Sequence, residues 1–560
     1  MAHYTFKCGC EFDISEIDEG LVTKKQTGLP SIVFDIAEKQ DKDADFYTCK
    51  KTWGLICDGR TKGVFQLESN LGKSWAKRLK PRNIEQLAAL VALIRPGCLK
   101  AIVGGKSMTQ HYVDRKHGEE EVSYLDDCLE PILKSTQGVL VYQEQSMEIA
   151  QTIAGFDLQQ ADELRKAIGK KKADLMASVK KEFLSGTENV GLVSKETAEE
   201  IFGWIEKSNR YAFNKSHAVS YAICGYWSAY AKAHFPVNFY CNYLYYSKGK
   251  QDSQQEIREL VSDAKISDVP VYPPSIAKMN RSFSIYNNEI NFGVGDVKFI
   301  GDSQLEKLTN AVLEATHELC KPPADWSWLE FLVSCATKVT SKVITSLISA
   351  GALSHMGLSR NKMLYEYDIW AKLTAKEREW VTENIKGNPW EDLKACLEGL
   401  CPVKKLGGGT STVKRSGIVK DYVYQLESSP YSLQDDPEWV SGTEEELLGT
   451  CLTYSKVDSC DTGAANSTCK EFLSGRNGTA VLAVAVKSSR EYEITRGQSK
   501  GQKMGFLTLE DSSCELDNVI CFSDEWAKNK HLLYEGNTIL VTGQRSKKKD
   551  SLIVQKVFQI

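Results

Sequence analysis

The spacing of apolar residues changes along this chain, and that change limits the folds open to it. From about residue 46 to 240, segments such as "IEQLAALVALI", "QEQSMEIAQTIAGF" and "SKETAEEIFGWIEKS" place apolar side chains three and four apart, the spacing of a helix buried on one face. After about 478 the spacing becomes two, in "TAVLAVAVKSSREYEI", "KMGFLTLED", "LDNVICF", "NTILVTGQR" and "DSLIVQKVFQI". A period of two belongs to strands. Five short strands with one interposed helix, "SDEWAKNKHLL", predict a small, partly open barrel. The fold class expected is multidomain α+β, with a mainly helical body and a C-terminal β-barrel.

At 560 residues the chain exceeds one ordinary core and predicts roughly three or four domains. Residues 1–45 read as a short β segment of unknown role, from "HYTFKCGCEFDI" and "LPSIVFDI"; 46–245 form a helical domain. Residues 246–403 change texture at "VPVYPPSI", where paired prolines forbid helix. Residues 404–477 are read as linker and connecting segment, beginning with "KKLGGGTSTVKRSG", and 478–560 as the barrel. Ser194, ahead of Glu196 and Thr197, marks a helix start without capping-box spacing. Apolar residues at 42% and charged residues at 26% describe an ordered globular protein. The net charge of −4 means that any basic surface for nucleic acid must be local. Seventeen cysteines without a regular framework predict reduced thiols in a cytosol. No secretory signal or membrane-length apolar run is seen. A cytoplasmic protein with no membrane partner is expected.

Two segments concentrate chemistry. "ADELRKAIGKKKADLM" (161–176) gathers Arg165, Lys166, Lys170, Lys171 and Lys172 around Gly169, without interleaved acids between 165 and 172. This is either a solvated helix face or a site for a polyanion, with Gly169 marking a break or a close approach. "RYAFNKSHAVSYA" (210–222) sets Asn214, Lys215, Ser216 and His217 at the mouth of a helix. They are either a helix cap with His217 satisfied in the core, or donors for an anion.

Seven stretches then occur in one order: "TKGVFQLES", "LAALVALIRPG", "YVDRKHG", "GVLVYQEQSMEIAQTIAGF", "ADELRKAIGKK", "RYAFNKSHAVSYA" and "KAHFP". Together they closely resemble the fingers region of the bacterial DNA polymerase III alpha subunit family. "VPVYPPSI", "INFGVGDVKFIG" and "VITSLISAGALSHMG" resemble its helix-hairpin-helix and clamp-binding region. "AVAVKSSREYEI" through "ILVTGQR" resembles its OB-fold. The resemblance implies that Arg165, Lys166, Lys170 and Lys171 face phosphates, and that Asn214, Lys215, Ser216 and His217 lie near an incoming dNTP. It implies DNA contact by the hairpin glycines Gly293, Gly295 and Gly301, although Phe299-Ile300-Gly301 departs from the family pattern. The basic turn "GQRSKKKD" offers Arg545, Lys547 and Lys548 to DNA. A template-primer and a sliding clamp are implied partners, the clamp without a Gln-x-x-hydrophobic-aromatic peptide to carry it.

The family's phosphoryl transfer also needs palm carboxylates that hold Mg²⁺, and the family normally begins with a PHP domain. Neither is expected here, because fingers motifs begin by residue 61. "QDKDADF" (40–46) lacks the leading proline of the palm motif, so Asp41, Asp43 and Asp45 are not read as catalytic. Asp35 is the better lone carboxylate. Cys8 and Cys10, with Cys49 and Cys57, lack a structural-zinc spacing and are read as thiols. The expectation is the fingers-and-DNA-binding half of a split, phage-encoded polymerase, inactive alone, with Mg²⁺ held by a separate palm-bearing chain. In a phage setting it would act in the host bacterial cytoplasm. A non-catalytic single-stranded-DNA-binding or replisome scaffold protein is the alternative; a structural polymerase remnant is a third reading.

Overall fold

Side-chain caps set many helix starts in this computed structural model. Ser69, Asn83 and Ser107 each accept the backbone N–H three residues on, at 3.1, 2.9 and 3.2 Å, satisfying donors that an isolated helix leaves open. Ser194 does the same for Thr197 at 3.1 Å, so the expected helix start at Lys195 is borne out. The structure describes residues 3–5, 11–13 and 46–560, except 171–172, 210–211, 388–391, 402–414, 476–477, 496 and 547–550. Asp35, Asp41, Asp43, Asp45, Cys8, Cys10, Lys171, Lys172, Lys547 and Lys548 therefore lie outside the described residues. Near the start of the chain, His3–Thr5 pairs antiparallel with Glu11–Asp13.

The chain divides into two compact units, residues 1–235 and 236–560. In the first, the helix Ile84–Leu93 buries every residue from Leu87 to Leu93. Ala218, Ala222, Tyr226, Ala229 and Ala233 of the helix Lys215–His234 belong to the same core. Their spacing of three and four makes one face. A neighbouring core joins the helices Gln143–Ala154, Leu158–Lys170, Ala173–Val190 and Lys195–Asn209 through Ile149, Leu164, Phe183 and Phe202.

In the second unit, the helix Pro236–Ser247 sends Tyr240 and Leu244 into a core shared with Phe331, Leu347 and Trp370. Val271–Tyr272 pairs parallel with Glu289–Asn291, which pairs antiparallel with Ser284–Tyr286. Helices Asp302–Leu319 and Ser341–Ser349 follow. The segment expected to connect to the barrel is itself partly helical, with helices Ser416–Glu427 and Pro437–Leu448. Glu444 of the latter is fully buried and pairs with buried Arg360 at 2.7 Å.

Five strands, Thr479–Glu493, Lys503–Glu510, Glu515–Cys521, Thr538–Arg545 and Leu552–Gln559, close the terminal barrel. The first pairs antiparallel with the second and fourth, and the fifth with the fourth. Parallel pairing of the third with the fifth, at Val519 and Leu552, completes the ring, so the barrel is closed rather than partly open. The helix Ser523–Asn529 lies between the third and fourth strands, as the sequence predicts, and its Trp526 packs on Gly505, where a Cβ would collide with the indole. A five-stranded barrel with a helix between its third and fourth strands is the OB-fold expected from the sequence.

Candidate nucleotide and nucleic-acid surface

Two of the conspicuous sequence stretches are bound to each other. The Phe213 amide donates to the Val141 carbonyl at 2.9 Å, and the Phe213 carbonyl accepts from Gln143 N–H at 3.0 Å. Gln145 Oε1 accepts the Val141 and Tyr142 amides, both at 3.0 Å. These bonds fix Glu144 at the start of the helix Lys215–His234. One Glu144 oxygen accepts from Asn214 Nδ2 and the other from the Lys215 amide, each at 2.9 Å. Asn214 Oδ1 accepts from His217 N–H at 2.8 Å and from Ser216 Oγ at 2.7 Å. Asn214 is thus the helix cap, one part of the structural reading. The other part fails: Asn214, Lys215, Ser216 and His217 are all exposed, and His217 does not fill the core. A helix N-terminus favours negative charge, and here a carboxylate already occupies it.

His217 instead belongs to an aromatic strip. Its ring centroid lies 3.9 Å from that of Tyr221 and 5.3 Å from that of Phe213. Tyr221 continues to Phe65 at 5.1 Å, and Phe65 is 41% exposed. The Arg95 guanidinium lies 3.9 Å over the Phe213 ring, with its buried Nε lacking a hydrogen-bond partner among the described residues. Such an atom calls for a further acceptor, a water or a ligand. Arg95 and Phe65 sit in "LIRPG" and "GVFQLES", noticed in the sequence without individual roles. Glu144, Phe213 and Tyr221 were also missed, because only the fold brings them together.

Lys232 explains how the loop bearing Phe65 is held. It is only 2% exposed, and its ammonium donates to the Arg60 and Lys62 carbonyls at 2.9 and 2.8 Å. Phe65 N–H donates to Ser228 Oγ at 3.0 Å. A β-carbon on Gly225 would stand 3.2 Å from the Phe65 carbonyl, so glycine permits the close approach.

The basic segment is less free than its composition predicts. Its helix runs through Gly169 to Lys170. Arg165 and Lys166 both pair with Asp162, each at 2.7 Å. These hydrogen bonds, Lys166 first and Arg165 next, lower the Asp162 pKa. The acid lies one turn before the run 165–172, which itself holds none. Arg165 and Lys166 remain 37% and 51% exposed, so the pairs are easily exchanged for another anion.

In the second unit, Gly293 and Gly295 do not offer open amides. Gly293 N–H donates to Asp296 at 3.1 Å and Gly295 N–H to the Arg281 carbonyl at 3.1 Å. A β-carbon at 293 would collide with the Ser282 backbone, and one at 295 would stand 2.6 Å from the Arg281 carbonyl. These glycines serve close packing. Gly301 is exposed, with open space around it, at the start of the helix Asp302–Leu319. Arg545 lies 4.7 Å over the Phe472 ring and donates to the Phe472 carbonyl, which commits it to the barrel's packing. The exposed aromatics of the barrel include Tyr492, Phe506 and Phe522. Phe506 lies on the second strand, Phe522 follows the third, and the Tyr492 and Phe506 centroids are 6.0 Å apart. OB-folds bind oligonucleotides on the face of these two strands.

Among the described residues, no three His, Cys, Asp or Glu side chains converge as a metal site. Cys49 lies 3.2 Å from His234 Nε2, and the Cys57 thiol donates to the Pro81 carbonyl at 3.3 Å. No helix among the described residues is long and apolar enough to cross a membrane.

Comparison with known proteins matches residues 31–191 to the bacterial DNA polymerase III alpha subunit finger domain. Residues 268–363 match a helix-hairpin-helix motif. The DNA polymerase III subunit alpha of Aquifex aeolicus is 34% identical over 468 residues, covering 81% of this chain and 38% of the relative. The Escherichia coli K12 and Bacillus subtilis subunits are each 30% identical, over 89% and 92% of this chain. The chain spans 38–42% of the length of these relatives. With the finger-domain match, the helix-hairpin-helix match and this continuous similarity, the chain belongs to the bacterial DNA polymerase III alpha subunit family.

Proposed function

We propose that this chain binds the incoming dNTP and the template-primer for a replicative family C polymerase. Its Mg²⁺ is held by a separate palm-bearing chain. The observation that carries this reading is the exposed strip at the start of the helix Lys215–His234. There Lys215 and His217 are exposed, the His217 ring packs against half-buried Phe213 and Tyr221, and Arg95 Nε lacks an acceptor among the described residues. Cations and donors suit phosphates, and flat rings suit a base. Arg165, Lys166, Lys170 and Lys171 are assigned to phosphates of the same substrates. Positioning and charge stabilisation are most of what phosphoryl transfer asks of protein. The setting is the bacterial cytoplasm, the host's if the gene is phage-borne, with a sliding clamp as a further partner.

The test is primer extension. The purified chain with template-primer, dNTPs and Mg²⁺ should extend nothing, and adding the palm-bearing chain that co-purifies from the native source should restore synthesis. Extension by the single chain would overturn the division of labour. A second reading, a non-catalytic single-stranded-DNA binder, is favoured by the exposed Tyr492, Phe506 and Phe522 of the barrel. It predicts DNA binding that is indifferent to substitutions at Lys215 and His217.

A further inference from the structure

Phe299 stands in a backbone conformation that costs a bulky side chain free energy. Its φ is 74°, in the left-handed region that favours glycine. Among the described residues it is the only aromatic one at positive φ. Its ring is not there to fill a core, because Phe299 is 45% exposed. The nearby Val297 and Ile300 supply the apolar burial, and the Ile300 amide closes the turn on the Val297 carbonyl at 3.1 Å. Nothing about folding requires a phenyl group at this position, and strain kept without a packing return points to function.

The surroundings say what the ring could receive. Lys342 Nζ lies 4.2 Å from the ring centroid and Lys298 Nζ 5.2 Å, and both lysines are exposed. Asp302, three residues along the chain from Phe299, is engaged by Arg281 at 2.6 Å and leaves the two ammonium groups to the ring. Gly301 begins the 18-residue helix Asp302–Leu319 without a side-chain cap, and that end carries partial positive charge. A flat apolar surface flanked by cations on long side chains suits a base with phosphates on either side. A base inside a duplex has both faces covered by its neighbours, whereas an unpaired base can offer one.

We infer that Phe299 is a stacking platform for an unpaired base of single-stranded DNA, with Lys298 and Lys342 moving from the ring to the flanking phosphates. The inference rests on the nucleic-acid-binding reading of this family member and adds to it a site where this sequence departs from the glycine-rich hairpin pattern. The ring would then let this hairpin hold a strand without a partner.

The experiment is photocrosslinking of the full chain to a single-stranded oligonucleotide carrying 5-iodouracil, with the adduct mapped by peptide mass spectrometry. The expected adduct is on Phe299, absent from Phe299→Gly and Phe299→Leu and weaker in Lys342→Ala. Loss of base stacking should weaken oligonucleotide binding at this site by roughly five- to a hundredfold. Phe299→Gly should unfold at the same temperature or higher, because glycine accepts the backbone conformation without strain. Adducts confined to other aromatics overturn the inference while leaving DNA binding intact; no adduct anywhere removes DNA binding as well. A clear drop in melting temperature for both Phe299→Gly and Phe299→Leu assigns the ring to packing and also overturns it.

Discussion

Glu144 and Lys215 meet through the backbone of a helix start: a Glu144 carboxylate oxygen accepts the Lys215 amide at 2.9 Å. The other oxygen takes Asn214 Nδ2, so the position a phosphate would seek holds a side-chain anion. If a triphosphate binds there, Glu144 is its competitor. Glu144→Ala should raise triphosphate affinity by about two- to tenfold, the size of one charge at a helix end. Fluorescent-nucleotide titration of the full chain at low salt measures this. An unchanged affinity would place the triphosphate elsewhere.

The four adjacent polar residues should separate into two classes. Lys215 and His217 are exposed and Asn214 caps. Lys215→Ala and His217→Ala should leave the melting temperature nearly unchanged. In the reconstituted enzyme each should impair nucleotide use by roughly tenfold to a hundredfold, as for one lost charge-assisted hydrogen bond. Asn214→Ala should do the reverse first, lowering stability by about 1 kcal/mol. Thermal unfolding beside the nucleotide dependence of extension distinguishes them. Destabilised Lys215 and His217 variants with normal nucleotide use would make the stretch purely structural.

Arg360 and Glu444 form a pair of a different kind, 4% and 0% exposed. Arg360 also donates to the Ser349 carbonyl and to Thr453, and Glu444 accepts the Leu452 and Thr453 amides. Removing one partner leaves a buried charge without its counterpart. Arg360→Ala should cost about 3–5 kcal/mol in urea unfolding of the second unit. A loss below about 1 kcal/mol would mean that water reaches the pair.

Acid sensitivity should come in two steps. Burial of His234, with Lys51 nearby, pushes its pKa down from 6.5 to about 4. The unfolded chain binds that proton first, so stability contributed by neutral His234 is present above 6.5 and is lost as pH falls towards 4. Burial raises the Glu120 pKa, but the hydrogen bonds of Arg115 and His111, with Lys106, outweigh it and bring the carboxyl to about 2. Its stability is present above the unfolded value of 4.5 and is lost as pH falls through about 2. Urea midpoints from about pH 7.5 to about 2.5 measure both steps. Glu120→Gln should flatten only the lower one, and an unaltered lower limb would remove Glu120 from the account.

What could be read beforehand follows from what is local. Strand alternation announced the barrel, because each strand carries its own period, and Ser194 announced a helix start through a contact three residues away. The helix Ser416–Glu427 was hidden by the glycine-rich stretch before it, since only Val419 is fully buried and the apolar signal is thin. The candidate surface was legible in part. Asn214, Lys215 and His217 are adjacent in sequence, whereas Glu144, Arg95 and Phe65 arrive from 70, about 120 and about 150 residues away. The basic segment misled for a simple reason: Asp162 reaches Arg165 and Lys166 at helical spacings of three and four, from just outside the run of cations it neutralises.

The barrel supplies the last prediction. Phe506 sits on the second strand with Arg490 as its cross-strand partner on the first, and Tyr492 lies two residues further along that strand. Gly505, between Met504 and Phe506, faces the other way, under Trp526. Alternation therefore puts Arg490, Tyr492 and Phe506 on the outer face, where Tyr492 and Phe506 are 42% and 40% exposed. Bases would stack on the rings and phosphates would meet Arg490. Tyr492→Ala with Phe506→Ala should weaken single-stranded DNA binding by the full chain about tenfold or more, at any salt, since each base–aromatic contact contributes about 1–3 kcal/mol. Arg490→Ala should instead reduce the slope of log affinity against log salt by about 0.7, the share of one phosphate contact on a single strand. Fluorescence anisotropy between about 50 and ~300 mM salt separates the two effects. If the aromatic pair can be removed without loss while the salt slope persists, the barrel holds DNA by charge alone. If neither substitution alters binding, this face serves a protein partner.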